Sequence, residues 1–120
     1  MQADPVGEAY EEGLRLLGGG EYFGAHEAFE EAWRAAAASE RDFFQGLVHV
    51  AVAWYQAGRR NRVGCERQLG KALRRLDGYR PAHRELDVTG LLLQVEAATE
   101  RYPDLAPVSV SRARGSRAPG

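Results

Sequence analysis

Residues 42–58 read DFFQGLVHVAVAWYQAG, and the reading of this stretch decides the fold. Wound as a helix, it carries Phe43, Phe44, Leu47, Val48, Val50, Ala51, Val52, Trp54 and Tyr55 around most of its circumference. A helix that is apolar nearly all round is covered by other elements, so it is the central member of a bundle. Its exceptions are Gln45, His49 and Gln56. At about 100° per residue these three fall within one narrow strip. Gly46 lies beside them and permits close approach of another backbone.

Helical signals continue on both sides. Upstream, EYFGAHEAFEEAW at 21–33 begins a helix that spans about Glu21 to Ala37, with Tyr22, Ala25, Phe29, Ala32, Trp33 and Ala36 on one side at three- and four-residue steps. Ser39 with Asp42 three residues on has the form of a capping arrangement and opens the central helix, which runs to about Ala57 before Gly58. Before these, Asp4-Pro5 reads as an N-cap and first helical position, and Gly18-Gly19-Gly20 stops a first helix of about 5–17 whose apolar face is Tyr10, Leu14 and Leu17.

Downstream, Asn61 caps a fourth helix with Cys65, Leu69, Ala72, Leu73 and Leu76 facing inward, and Gly78 is its expected C-terminal cap. Tyr79-Arg80-Pro81 forces a connection. A last helix starts near Asp87 or Val88, carries Leu91, Leu92, Val95 and Ala98, and ends at Tyr102-Pro103. No stretch alternates at period two between turn signals, so no sheet is expected. The predicted fold is all-α: a compact bundle of about five helices, one domain over 1–105, with a disordered basic tail over 106–120.

The tail, APVSVSRARGSRAPG, is rich in Pro, Gly, Ser and Arg and offers little to bury. Composition agrees with a small globular domain: 120 residues, 44% hydrophobic, 28% charged, net charge −1. No run approaches the roughly 18 apolar residues of a membrane span. MQADPVGEAYEEG at the start has no basic region followed by an apolar one, which gives the cytoplasm as the default compartment. Cys65 is the one cysteine, which excludes an internal disulfide and a multi-thiolate zinc site within one chain.

His26 is the other polar feature, a ring set among Tyr22, Phe29 and Trp33. A short connection favours antiparallel packing of the second and central helices, and His26 and Glu30 could then face Gln45 and His49. Burying such groups without partners costs several kcal/mol, so a shared network is the economical reading. The candidate ligand-binding or buried polar cluster is therefore His26, Glu27, Glu30, Gln45 and His49, although Glu27 and Glu31 fall on the far side of their helix.

The patterns GGGEYFGAHEAFEEAW (18–33), DFFQGLVHVAVAWYQAGRRNRVG (42–64) and KALRRLDGY (71–79) resemble domain-of-unknown-function family 309, small bacterial, archaeal and plastid proteins, over residues 6–101. The resemblance implies an all-helical bundle and no particular activity. Phe29 stands where the family usually has Trp, and His49 where Gln is common.

Chemistry-bearing alternatives are few. His26, Glu30 and His49 form a three-ligand face in principle, the core of an alternative reading as a small metal-dependent or acid-base enzyme. No nucleophile, second activating pair, Glu-x-x-His motif or phosphate loop accompanies them, and neither a metal nor another cofactor is expected. Arg67, Lys71 and Arg74 share one face of the fourth helix, without a nucleic-acid motif. The preferred expectation is a non-enzymatic module for a protein or peptide partner.

Overall fold

A computed structural model describes residues 4–113. Five helices are joined by short connections: α1 (Pro5–Gly18), α2 (Tyr22–Ala35), α3 (Ala38–Gly58), α4 (Arg62–Leu76) and α5 (Val88–Arg101). The all-α bundle expected from periodicity is the architecture found. Each helix packs on its neighbour in the chain: α1 on α2, α2 on α3, α3 on α4, and α4 on α5. Central α3 buries Phe43, Phe44, Leu47, Val50, Ala51 and Ala53 completely.

Three of the starts share one local device. Asp4, Asn61 and Asp87 each accept, through a side-chain oxygen, the backbone N–H three residues on, at 2.9 to 3.0 Å. That residue is glycine each time, Gly7, Gly64 and Gly90, and a Cβ there would collide with the capping side chain. Two further glycines set helix spacing. A Cβ on Gly13 would overlap the Phe29 ring, and one on Gly46 would overlap the Leu76 side chain. The close approach that Gly46 permits is thus that of Leu76 from α4.

Some local expectations are corrected. Ser39 does not cap α3; the extended two-residue connection Ala36-Ala37 brings the helix start forward to Ala38, and Ala37 occupies the cap position without a side-chain bond. The Ser39 carbonyl instead accepts the Tyr79 hydroxyl at 2.8 Å. Gly78 is not a left-handed cap, because the chain continues from α4 into a 3-10 turn, Asp77–Tyr79. A small sheet is also present: β1 (Ala82–His83) pairs antiparallel with β2 (Leu86–Asp87). Its two-residue turn places Arg84 and Glu85 at φ 47° and 63°. Such turns are usually signalled by Asn-Gly or Asp-Gly, which explains why the hairpin left no pattern in the sequence.

Residues 106–113 lie along the body, and the disordered tail expected over 106–120 is corrected for these positions. Val108 is 3% exposed and Val110 packs against the core. The indole of Trp54 donates to the Ala106 carbonyl at 2.8 Å, and Leu86 on β2 bridges to Arg112. These attachments are mainly backbone hydrogen bonds, which composition does not reveal. The rest of the expected tail, 114–120, lies outside the described residues.

Candidate functional site

α2 and α4 both pack on α3, and no comparable packing joins them to each other. One line of α3 is therefore left between two helical banks. Gln45, Val52 and Gln56 along it are partly exposed, while most of α3 is buried. His49 lies on the same line and keeps 7% of its surface. The polar strip read from the sequence is thus the open side of the central helix. Its amides remain solvated, and an otherwise apolar helix tolerates them there.

The predicted residues divide between the two banks. On α2, His26 Nε2 lies 3.5 Å from Glu30 Oε2, at one helical turn. The ring stacks obliquely on Phe23 at 5.4 Å and lines, with Phe23, Val52, Tyr55 and Gln56, a cavity of about 150 Å³. A cavity of that size takes up a benzene-sized group. Glu27 points to solvent. On the other bank, His49 Nδ1 meets Gln68 Oε1 of α4 at 2.7 Å. The amide oxygen can only accept, so Nδ1 carries the proton and Nε2 presents a lone pair. Both His26 Nδ1 and His49 Nε2 are buried without a protein partner.

The structure therefore joins His26 to Glu30 and, separately, His49 to Gln68, and gives His26 no hydrogen bond to Gln45 or His49. Among the described residues no group of three His, Cys, Asp or Glu side chains is placed to hold a metal ion. The three-ligand face of His26, Glu30 and His49 is not assembled. Gln68 escaped the sequence reading because Gln on a basic helix face gives no signal until α4 is docked on α3.

Charge differs across the groove. Burial lowers the pKa of His49, and Lys71, Arg75 and Arg74 lower it further, so its ring is neutral at neutral pH. On the α2 bank the charged group beside His26 is Glu30, and Arg41 from α3 caps the far end by lying 4.1 Å from the Trp33 ring. Phe23, at the opposite end, is 52% exposed and touches Tyr55 at 5.4 Å between ring centroids.

A second polar cluster went unforeseen. Arg84 Nε and an Arg84 terminal nitrogen fork onto Glu40 at 2.7 and 3.0 Å, and His83 Nε2 reaches the same carboxylate at 3.0 Å. The Arg84 fork, with His83 assisting, holds the Glu40 pKa down from 4.5 to about 2. Tyr10 donates its hydroxyl to the Arg84 carbonyl at 3.0 Å, and burial pushes its pKa up to about 12. His83 packs edge-on against Phe43 at 4.6 Å. Every member of this cluster is satisfied within the protein, and together they clamp the hairpin to α1 and α3. A broad groove of about 670 Å³ beside it, lined by Asp4, Glu8, Glu11, Arg15, Arg84 and Glu85, is wide open.

Fold and groove define a small all-helical bundle with one apolar central helix whose open strip carries hydrogen-bonding side chains. Residues 10–68 match the family described as Domain of unknown function (DUF309), and over that half of its length the chain belongs to this family. The match takes in the groove from Phe23 to Gln68; the end of α4, the hairpin, α5 and the strand beyond it lie outside, so it is shorter than the 6–101 read from the sequence. No curated protein matches the chain. No helix among the described residues is long and apolar enough to cross a membrane.

Proposed function

We propose that this protein is a non-enzymatic interaction module that binds a segment of another protein along the groove over α3. One observation carries the reading: along the least covered line of the most buried helix, Gln45 and Gln56 stay partly exposed on either side of the buried His49. Amide side chains carry a donor and an acceptor each, the same pair that a peptide backbone presents. Gln56 and Gln68 have their carbonyl oxygens engaged by Asn61 and His49, which leaves both NH2 groups to donate to a ligand's carbonyls. The cavity at Phe23, Val52 and Tyr55 supplies an apolar socket, the usual anchor of a peptide site.

The groove pairs Glu30 on one bank with Arg74 and Arg75 near the other and carries no nucleic-acid motif, so the partner in this reading is protein and not nucleic acid. Selection of peptides from a random displayed library against the full chain tests the proposal. Selected peptides should lose at least about tenfold in affinity on Phe23→Ala and on Gln56→Ala, the scale of a lost anchor. Failure to select any binder, or binding indifferent to both substitutions, would refute it.

A further inference from the structure

On the side of the molecule formed by α5 and the hairpin, residues 106–113 lie as an extended strand whose contacts read it as a ligand. Gln94 of α5 grips one residue by its backbone: its NH2 donates to the Ser109 carbonyl at 2.8 Å, and its oxygen accepts the Ser109 N–H at 2.8 Å. The Trp54 indole holds the Ala106 carbonyl, the Asp87 N–H donates to Ser111, and the Ala113 N–H donates to Glu85. Side chains are read at every second position. Val108 is buried, Val110 rests on the core, and Arg112, itself exposed, pairs with Glu11 of α1, while Ala106, Pro107, Ser109 and Ser111 are also exposed. Backbone bonds to a sheet edge with sockets for alternate side chains are the mode by which strand-adding domains recognise extended peptides.

The chain's own strand fills this channel incompletely. Beside the small side chain of Ala106, in register with Val108 and Val110, a cavity of about 120 Å³ stays between Trp54, Gln94, Ala97, Ala98 and Arg101. A leucine at that position would occupy it.

We propose that the channel of Trp54, Gln94 and the β2 edge is a second recognition site, for an extended segment of a partner protein with large apolar-x-Val-x-Val-x-Arg character, held shut by residues 106–113. The site is distinct from the groove over α3 and does not depend on it. Tethered by the few residues after Arg101, the internal strand competes at an effective concentration in the mM range, so an incoming segment must bind better than it does. The unfilled space beside Ala106 gives such a segment its advantage.

The test uses the full chain and a labelled nine-residue peptide, LLPVSVSRA, which is residues 105–113 with leucine in place of Ala106. Val108→Asp in the protein puts a carboxylate into the apolar socket and should release the internal strand. This variant should bind the peptide at least about tenfold more tightly than the wild type, because the tethered competitor is gone. Adding Gln94→Ala should remove at least about tenfold of that affinity, and this substitution separates the site from the α3 groove. Equal peptide affinity of wild type and a Val108→Asp chain with native helical circular dichroism would overturn the proposal, as would indifference to Gln94→Ala. Hydrogen exchange on the wild type gives an answer independent of any variant's folding. The Ser109 and Ala113 amides should exchange through a local opening at least about a hundredfold faster than Val50 in α3, as separable segments do; exchange at the Val50 rate would overturn the proposal. Reversible dimers of the wild type that Val108→Asp abolishes would assign the channel to a second copy's strand and likewise refute the partner reading.

Discussion

His49 of α3 is fixed by Gln68 of α4: the imidazole donates from Nδ1 to the amide oxygen at 2.7 Å, across the seam between the two helices. This one contact sets the tautomer, turns Nε2 into a buried acceptor and ties the floor of the groove to its basic bank. The Gln68→Ala variant should lose about 1 to 2 kcal/mol, because it strands a buried N–H. Urea unfolding at neutral pH measures the loss.

The same ring makes stability depend on pH. Its pKa is lower in the folded state than in the unfolded chain, so acid protonates the unfolded form first and favours it. The contribution is complete above the ordinary histidine value of 6.5 and is lost as pH falls through the lower folded value. Unfolding free energies measured from pH 7.5 down to 5 should therefore decline, and His49→Gln should flatten that part of the profile. A profile unchanged by the substitution would show that the ring is not held neutral.

Glu40 predicts a separate, more acidic step. Its carboxyl titrates near 4.5 when unfolded and at about 2 when held by Arg84 and His83, so its contribution is intact above about pH 4.5 and disappears as pH drops toward 2. Glu40→Gln should cost about 1.5 to 3 kcal/mol at neutral pH, the scale of hydrogen bonds to a charged group. The loss should be mainly in the attachment of residues 82–87, seen as faster amide exchange at Asp87 and Val88 with α3 still protected.

Much of this fold was legible. The apolar circumference of residues 42–58 placed α3 at the centre, and the Asp4 and Asn61 caps marked helix starts to the residue. The strip of Gln45, His49 and Gln56 was legible as a strip, since its angle follows from helical geometry alone. Which neighbour would cover it was not, because helix periodicity gives the direction of a side chain and says nothing of how widely two flanking helices are splayed. Glu40 and Arg84 lie 44 residues apart and meet through a turn without glycine, so no local pattern announced them. Residues 106–113 escaped for a related reason: a strand held by Gln94, Trp54 and a sheet edge needs only two valines of apolar signal.

That strand should contribute measurably to stability. Val108→Ala removes two methyl groups from a socket that leaves Val108 only 3% exposed, and should cost about 1 to 2 kcal/mol. Removing residues 106–120 should lower the melting temperature by several degrees, about what a loss of 1 to 2 kcal/mol produces in a domain of this size. An unchanged melting temperature would mean that the strand adds nothing to the folded state in solution.

The central claim is that the open strip of α3 receives a protein segment. Nuclear magnetic resonance of the isotope-labelled full chain, titrated with a library-selected peptide, observes the strip atom by atom. The side-chain NH2 signals of Gln45, Gln56 and Gln68, the His49 ring and the Phe23 ring should shift together and saturate at one equivalent, with Gln94 and the Trp54 indole unmoved. Saturable shifts confined to other surfaces, with those five side chains unperturbed, would contradict the account.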